Sequence, residues 1–166
     1  HEDCRRQRQM CIRDRPITAQ SMGIMLCGTV LGAKRGTLAV LLFIALTALG
    51  LPLLSGGRGG LGIFASPSVG FIVGFPLAAY VAGLITTKLK MVKIFYSSLL
   101  GAIIGGIFVL YIPGIIGMSI ILGKSISEAM VIALIYLPGD LIKAFLCATL
   151  TQTLFKLRPA DVLSRS

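Results

Sequence analysis

An acid and a base stand three residues apart inside a run that is otherwise apolar from Ala129 to Leu150. They are Asp140 and Lys143, in Leu137-Pro138-Gly139-Asp140-Leu141-Ile142-Lys143. On a helix that starts at the Pro138-Gly139 break, residues three apart share a face. Asp140 then falls in the first turn, where the helix dipole favours a negative group. A charge at membrane depth costs about 2.5–3.5 kcal/mol on insertion scales, so the pair needs a reason to be there. The two side chains can neutralise each other and pin a kink, or they can hold a polar ligand in a cavity near one membrane face. Ionisable residues within apolar spans point to the second.

Other polar groups could join them. Arg58 sits in the loop Ser55 to Pro67, flanked by glycines as Gly56-Gly57-Arg58-Gly59-Gly60. Glycines allow positive φ and close backbone approach, so this is either a flexible link with a solvated Arg or a lid that lays Arg58 over a ligand. It is no phosphate-binding Walker loop, because no Gly-Lys-Ser/Thr follows. Gln20, with Thr18 and Ser21, makes a polar mouth on the first apolar span. Tyr80 is the polar-tipped aromatic of the third span.

These residues are carried by apolar helices. The chain of 166 residues is 55% hydrophobic and 13% charged, and its mean hydropathy is +0.92. One small soluble core cannot bury that much apolar surface. The 20 glycines fit close helix packing in a membrane. The expected class is an all-α polytopic membrane helix bundle of five spans with a Gly-rich outer loop. The net charge of +10 does not mark a nucleic-acid binder. Five of the 16 basic residues fall in the first fifteen positions, and most others sit between apolar spans as topology signals. Cys27 and Cys147 lie in apolar spans and read as buried thiols. His1 is the lone histidine, which argues against a zinc site or a histidine-based triad, so neither metal nor cofactor is expected.

In chain order, residues 1–15 (HEDCRRQRQMCIRDR) do not match the rest. They read as the basic start of a signal peptide or, preferably, as a leader foreign to the fold or disordered. Residues 16–157 form the integral membrane domain, and 158–166 a cytoplasmic tail. The expected spans are Pro16 to Leu31, Thr37 to Leu54, Val69 to Thr87, Ile94 to Ile112 and Glu128 to Phe155. A short piece from Pro113 to Gly123, broken by Pro113, Gly114 and Gly117, reads as re-entrant or interfacial. Alternation puts Lys34, Arg35, Lys88, Lys90, Lys93, Lys156, Arg158 and Arg165 on one side, and Arg58 and Lys124 on the other. The richer side is cytoplasmic. Gln20, Arg58 and the Asp140/Lys143 pair then converge near the outer face, which argues for an outward-facing pocket.

Several ordered motifs carry a resemblance. Pro-Ile-Thr-Ala-Gln from Pro16, Leu-Gly-Ala-Lys-Arg-Gly from Leu31, Gly-Leu-Pro from Gly50, Gly-Gly-Arg-Gly-Gly from Gly56 and Leu-Pro-Gly-Asp-Leu-Ile-Lys from Leu137 resemble the BioY family. These are the biotin-binding S components of energy-coupling factor transporters, and the resemblance runs from Pro16 to about Leu157. It implies a six-helix bundle in the cell membrane of a prokaryote, of which this chain would lack the first helix. It implies biotin as transported ligand, and a transmembrane coupling protein and two ATP-binding cassette ATPases as partners. A homo-oligomer stays open, and no catalysis is implied. Two departures stand out. Ser66-Pro67-Ser68-Val69-Gly70 replaces a Gly-Pro-Thr/Ser-Gly-Gly pattern, and Ile72 stands where some members carry an Arg, so the ligand carboxylate would rest on Arg58. For biotin, Asp140 would accept from a ureido N–H, Lys143 would donate to the ureido oxygen, and Gln20 and Tyr80 would add neutral contacts. The roles of Lys143 and Arg58 can be exchanged. The competing readings are an S component for another vitamin and a structural subunit of a membrane complex.

Overall fold

The computed structural model describes residues 19–54, 59–66 and 68–164. The helices are α1 (Ala19–Leu31), α2 (Ala33–Ala48), α3 (Val69–Lys88), α4 (Ile94–Leu122), α5 (Ile126–Leu134) and α6 (Leu137–Leu157). By length and composition α3 and α4 can each cross a membrane, and α5 with α6 makes a third crossing bent by 51°. With 13 and 16 residues, α1 and α2 are shorter.

The first basic turn is tighter than the sequence reading had it. Gly32 alone links α1 to α2, at φ +81°, a conformation that costs glycine little. Lys34 and Arg35 therefore lie in the first turn of α2 instead of in a loop. The fourth span also needs correction. The chain from Ile94 to Leu122 is one 29-residue helix, so Pro113 to Gly123 is no separate re-entrant piece. A π-turn over residues 104–109 lies just before Pro113. Such a turn shifts the hydrogen-bond ladder locally, next to the point where the proline supplies no N–H. The proline is received by α3: a Cβ at Gly74 would lie 2.7 Å from the Pro113 ring, and one at Gly70 would meet the Pro113 carbonyl. The last span is broken slightly earlier than expected, at Ile135-Tyr136, and Pro138 sits in the first turn of α6, where a missing N–H costs nothing. A capping box starts α5: Ser125 Oγ accepts from Glu128 N–H at 3.3 Å, and Glu128 Oε2 accepts from Ser125 N–H at 3.2 Å.

Close contacts fix the directions of the helices. Gly70 meets Gly117 while Gly101 meets Thr86, so α3 and α4 are antiparallel. Gly28 packs on Ala79 and Ala82, and Gly32 approaches Thr87, so α1 and α3 are parallel. The partner of α1 on its other side is α6, also parallel and in constant register: Ser21 meets Lys143, and Thr29 meets Thr151. One end of the bundle thus gathers the C-termini of α1, α3 and α6 with the basic turns. The other gathers the starts of those three helices.

A buried polar seam joins α1 to α6. Thr151 Oγ1 donates to the Cys147 carbonyl at 2.8 Å, so its lone pairs accept from Thr29 Oγ1 at 3.0 Å. Both threonines are fully buried. At the basic end the chain folds back after α6. Ser164 Oγ donates to the Thr29 carbonyl at 2.5 Å and Ser164 N–H to the Val30 carbonyl at 3.0 Å, which pairs carbonyls that the last turn of α1 leaves open. Thr29→Val keeps the shape and loses the bond, and is expected to destabilise the protein by about 1 kcal/mol. Thr151→Val should do the same. The double variant should lose less than the sum of the two, because they share the bond between the hydroxyls. Thermal unfolding in detergent checks this.

Candidate functional site

The Asp140–Lys143 pair forms as helix geometry predicts. The N–H of Asp140 bonds to the Tyr136 carbonyl at 3.0 Å, which places the carboxylate in the first turn of α6. Lys143 Nζ lies 2.9 Å from Asp140 Oδ1. Two other helices complete the group. Ser21 Oγ of α1 accepts from Lys143 Nζ at 3.0 Å and donates to Asp140 Oδ1 at 3.4 Å. Tyr111 of α4 donates its hydroxyl to Asp140 Oδ2 at 2.8 Å. A desolvated ion pair needs further hydrogen bonds to be tolerable, and here two hydroxyls supply them, that of Tyr111 from an apolar cluster it shares with Met25, Ala133, Ala144 and Cys147. The pair is not sealed off, since 13% of the Lys143 side chain and 11% of the Asp140 side chain stay accessible.

Beside this cluster lies a cavity of about 310 Å³, lined by Gln20 of α1, Leu54 and Ile63 of the α2–α3 connection, and Phe71, Ile72 and Phe75 of α3. Its walls are mostly apolar, with Ser66 and Ser68 as further polar lining. That character and size suit a small organic ligand. Gln20 Nε2 donates to the Leu53 carbonyl at 3.3 Å. The cavity and the ion pair are adjacent by two routes. Gln20 and Ser21 are neighbours in sequence, and the Phe71 ring stands edge-on to Tyr111 with centroids 6.1 Å apart. Asp140 and Lys143 are not among the residues that line this cavity; they adjoin it through Ser21 and Tyr111.

The structure therefore brings Asp140, Lys143 and Gln20 to one end of the bundle, opposite the basic turns. It does not bring Tyr80 there. Tyr80 is 43% exposed on α3, and nine residues beyond Phe71 it lies about 13 Å further along the helix. The buried face at that level is made by Ala78, Ala79 and Ala82. Arg58, the leader with Cys4 and Cys11, and Thr18 lie outside the described residues. Ile72 is buried at the cavity wall. Sequence reasoning missed Tyr111 and the part played by Ser21. A signal existed for Tyr111, because a tyrosine hydroxyl deep in an apolar helix needs a partner. For Ser21 the signal was its place beside Gln20 in the polar mouth.

Comparison with known proteins identifies the family of the chain. A family model described as the BioY family matches residues 9–160. The chain is 43% identical to the biotin transporter BioY of Rhodobacter capsulatus, over 90% of this chain and 84% of the relative. It is 46% identical to the biotin transporter BioY of Rhizobium etli, over 81% and 75% of the two chains. It is 41% identical to the probable biotin transporter BioY of Bacillus subtilis, over 84% and 76%. The crystal structure of the S-component for biotin from an ECF-type ABC transporter superposes with a TM-score of 0.80 at 33% identity, covering 86% of this chain and 76% of that one. By its sequence and by its fold, this chain belongs to the BioY family.

Proposed function

We propose that this chain takes up biotin across the cell membrane as the substrate-binding S component of an ECF-type ABC transporter. Its partners in this role are a transmembrane coupling protein and two ATP-binding cassette ATPases, which supply the energy. The observation that carries the proposal is the Asp140–Lys143 pair, held by Ser21 and Tyr111 beside a 310 Å³ apolar cavity at the end opposite the basic turns. By the positive-inside rule that end faces outward.

The chemistry of biotin fits this arrangement. Its bicycle is apolar and suits Phe71, Ile72 and Phe75. Its ureido ring presents two N–H donors and one carbonyl. A lysine ammonium has three donors, two of which go to Asp140 and Ser21, so the third suits the ureido oxygen. A carboxylate offers about four acceptor positions, of which Lys143, Ser21 and Tyr111 take three, so another suits a ureido N–H. Gln20 adds a neutral contact from the cavity wall. Arg58 is the proposed partner of the ligand carboxylate, from its guanidinium geometry and its place in the sequence between the lining residues Leu54 and Gly59. Tyr80 has less support as a contact, given its exposure.

Titration of the purified protein with biotin tests the proposal, beside other vitamins as competitors. Saturable, stoichiometric binding of biotin alone is expected. Tyr111→Phe keeps the ring and its packing but removes a hydrogen bond to a charged group, worth about 1.5–3 kcal/mol. Biotin affinity should fall roughly ten- to a hundredfold, as read by calorimetry. One observation favours a second reading, in which the cluster only fastens α1, α4 and α6 together: each of its four members is hydrogen-bonded to another. That reading predicts a stability loss in Tyr111→Phe with biotin affinity unchanged in the folded fraction.

A further inference from the structure

The basic end of the bundle carries more charge than helix energetics explain. Lys88 and Lys156 lie in the last turns of α3 and α6, where the helix dipole favours cations. Lys34 and Arg35 lie in the first turn of α2, where the dipole opposes them. Neither has an acidic residue within four positions on either side to offset it. Lys90 lies in the α3–α4 turn, and Lys93 is the N-cap of α4, where the dipole again opposes a cation. Among the described residues at this end the lone acid is Asp161, 3.8 Å from Arg158 and well exposed.

These cations gather at one end of the bundle. A Cβ on Gly32 would lie 3.8 Å from Thr87 Oγ1, and one on Gly83 would meet the Ala33 backbone. The α1–α2 turn thus abuts the end of α3, and Lys34 and Arg35 lie about one turn from Lys88. They are also interleaved with apolar side chains. Met91 is 100% exposed between Lys90 and Lys93, and Leu38, one turn beyond Lys34, is 65% exposed. A face built for aqueous contact would carry polar neighbours. Cations beside projecting apolar groups suit the depth at which headgroup phosphates meet acyl chains.

We propose that Lys34, Arg35, Lys88, Lys90 and Lys93 form a binding surface for anionic phospholipid headgroups, with Met91 inserted among the acyl chains. The cations pair with headgroup phosphates, and the lipid shell at this end is enriched in negatively charged species. This inference is independent of the biotin reading.

The experiment uses the whole chain reconstituted in phosphatidylcholine bilayers containing tracer amounts of spin-labelled phosphatidylglycerol or spin-labelled phosphatidylcholine. The fraction of each label immobilised by the protein gives the relative association. At low salt, phosphatidylglycerol should be preferred by about fivefold, the factor that one well-engaged cation supplies. The preference should shrink towards unity at high salt, where exposed charges are screened. It should also be lost in Lys34→Gln/Arg35→Gln/Lys90→Gln/Lys93→Gln, with helical circular dichroism retained, and kept in Lys124→Gln, which alters a cation at the opposite end. Equal association of both lipids with the wild-type protein would overturn the proposal and leave these cations as a docking face for an acidic protein surface. A salt-insensitive preference, or one kept by the quadruple variant, would overturn it too. The salt titration needs no variant to fold.

Discussion

Biotin affinity is expected to fall by roughly a hundredfold or more in Asp140→Asn, and by a similar factor in Lys143→Met. Asparagine keeps the size of Asp140 and can still accept from Tyr111. It cannot neutralise Lys143, whose side chain is only 13% exposed. An ammonium left without its counter-charge in such a place costs about 3–5 kcal/mol, and its orientation towards a ligand is lost. Lys143→Met fills the volume and strands the carboxylate instead. Each single variant should therefore lose thermal stability as well as affinity, which alone would not separate a ligand site from a structural pin. The double variant Asp140→Asn/Lys143→Met separates them. It buries no net charge, so much of the stability should return, as when a buried pair gives way to neutral groups of similar volume. Biotin binding should stay lost, because neither ureido partner is restored. A double variant that binds biotin as the wild type does would end the ligand role of the pair and leave it as a fastening between helices. The measurements are thermal unfolding and calorimetric titration on the same preparations.

The ion pair was legible because everything it needs is local. Two charges three apart in an apolar run, just after a helix-breaking dipeptide, fix their own geometry through the helix period. The bounds of α3 were legible for a related reason: an uninterrupted apolar run ends at Lys88. The rest depends on contacts between distant parts of the chain. Tyr111 reaches Asp140 across 29 residues, and Ser21 reaches it across 119, and no periodicity reports such separations. Pro113 misled for the opposite reason. Taken locally a proline with two nearby glycines ends a helix, but a π-turn before it and the bare surface of Gly70 and Gly74 opposite let α4 continue. The bend between α5 and α6 was expected at Pro138, yet it comes at Ile135-Tyr136, since a proline is at home in a helix's first turn. Tyr80 was chosen for its hydroxyl, and only the packed bundle shows that the buried face of α3 at that level is made by alanines.

Two glycines that look equivalent in the sequence are expected to respond in opposite ways to substitution. Gly139 belongs to the most distinctive motif of the chain, beside the ion pair. A Cβ there would meet nothing within 4 Å, and its φ is not positive. Gly139→Ala should be neutral or stabilise α6 by up to about 1 kcal/mol, since alanine is the better helix former. Gly70 stands at the start of α3, where its Cβ would meet the Pro113 carbonyl and lie 3.0 Å from Gly117 Cα. A Cβ at Gly117 would in turn lie 2.6 Å from Gly70 Cα. The obstacle is backbone on both sides, so no rotamer change relieves it, and α3 and α4 must part. Gly70→Val should cost about 3 kcal/mol, the upper end of what overpacking usually exacts. The loss should reach the site as well. Phe71 and Ile72 follow Gly70 directly, Tyr111 lies two residues before Pro113, and the edge-on contact of Phe71 with Tyr111 is one of the two links between the cavity and the Asp140 cluster. Parting the helices opens that contact and shifts the hydroxyl that holds Asp140. Gly70→Val should thus lose thermal stability and biotin affinity together, while Gly139→Ala keeps both. Wild-type stability in Gly70→Val would mean that α3 and α4 do not pack with backbones in contact, and the shared wall between cavity and ion pair would fall with that packing.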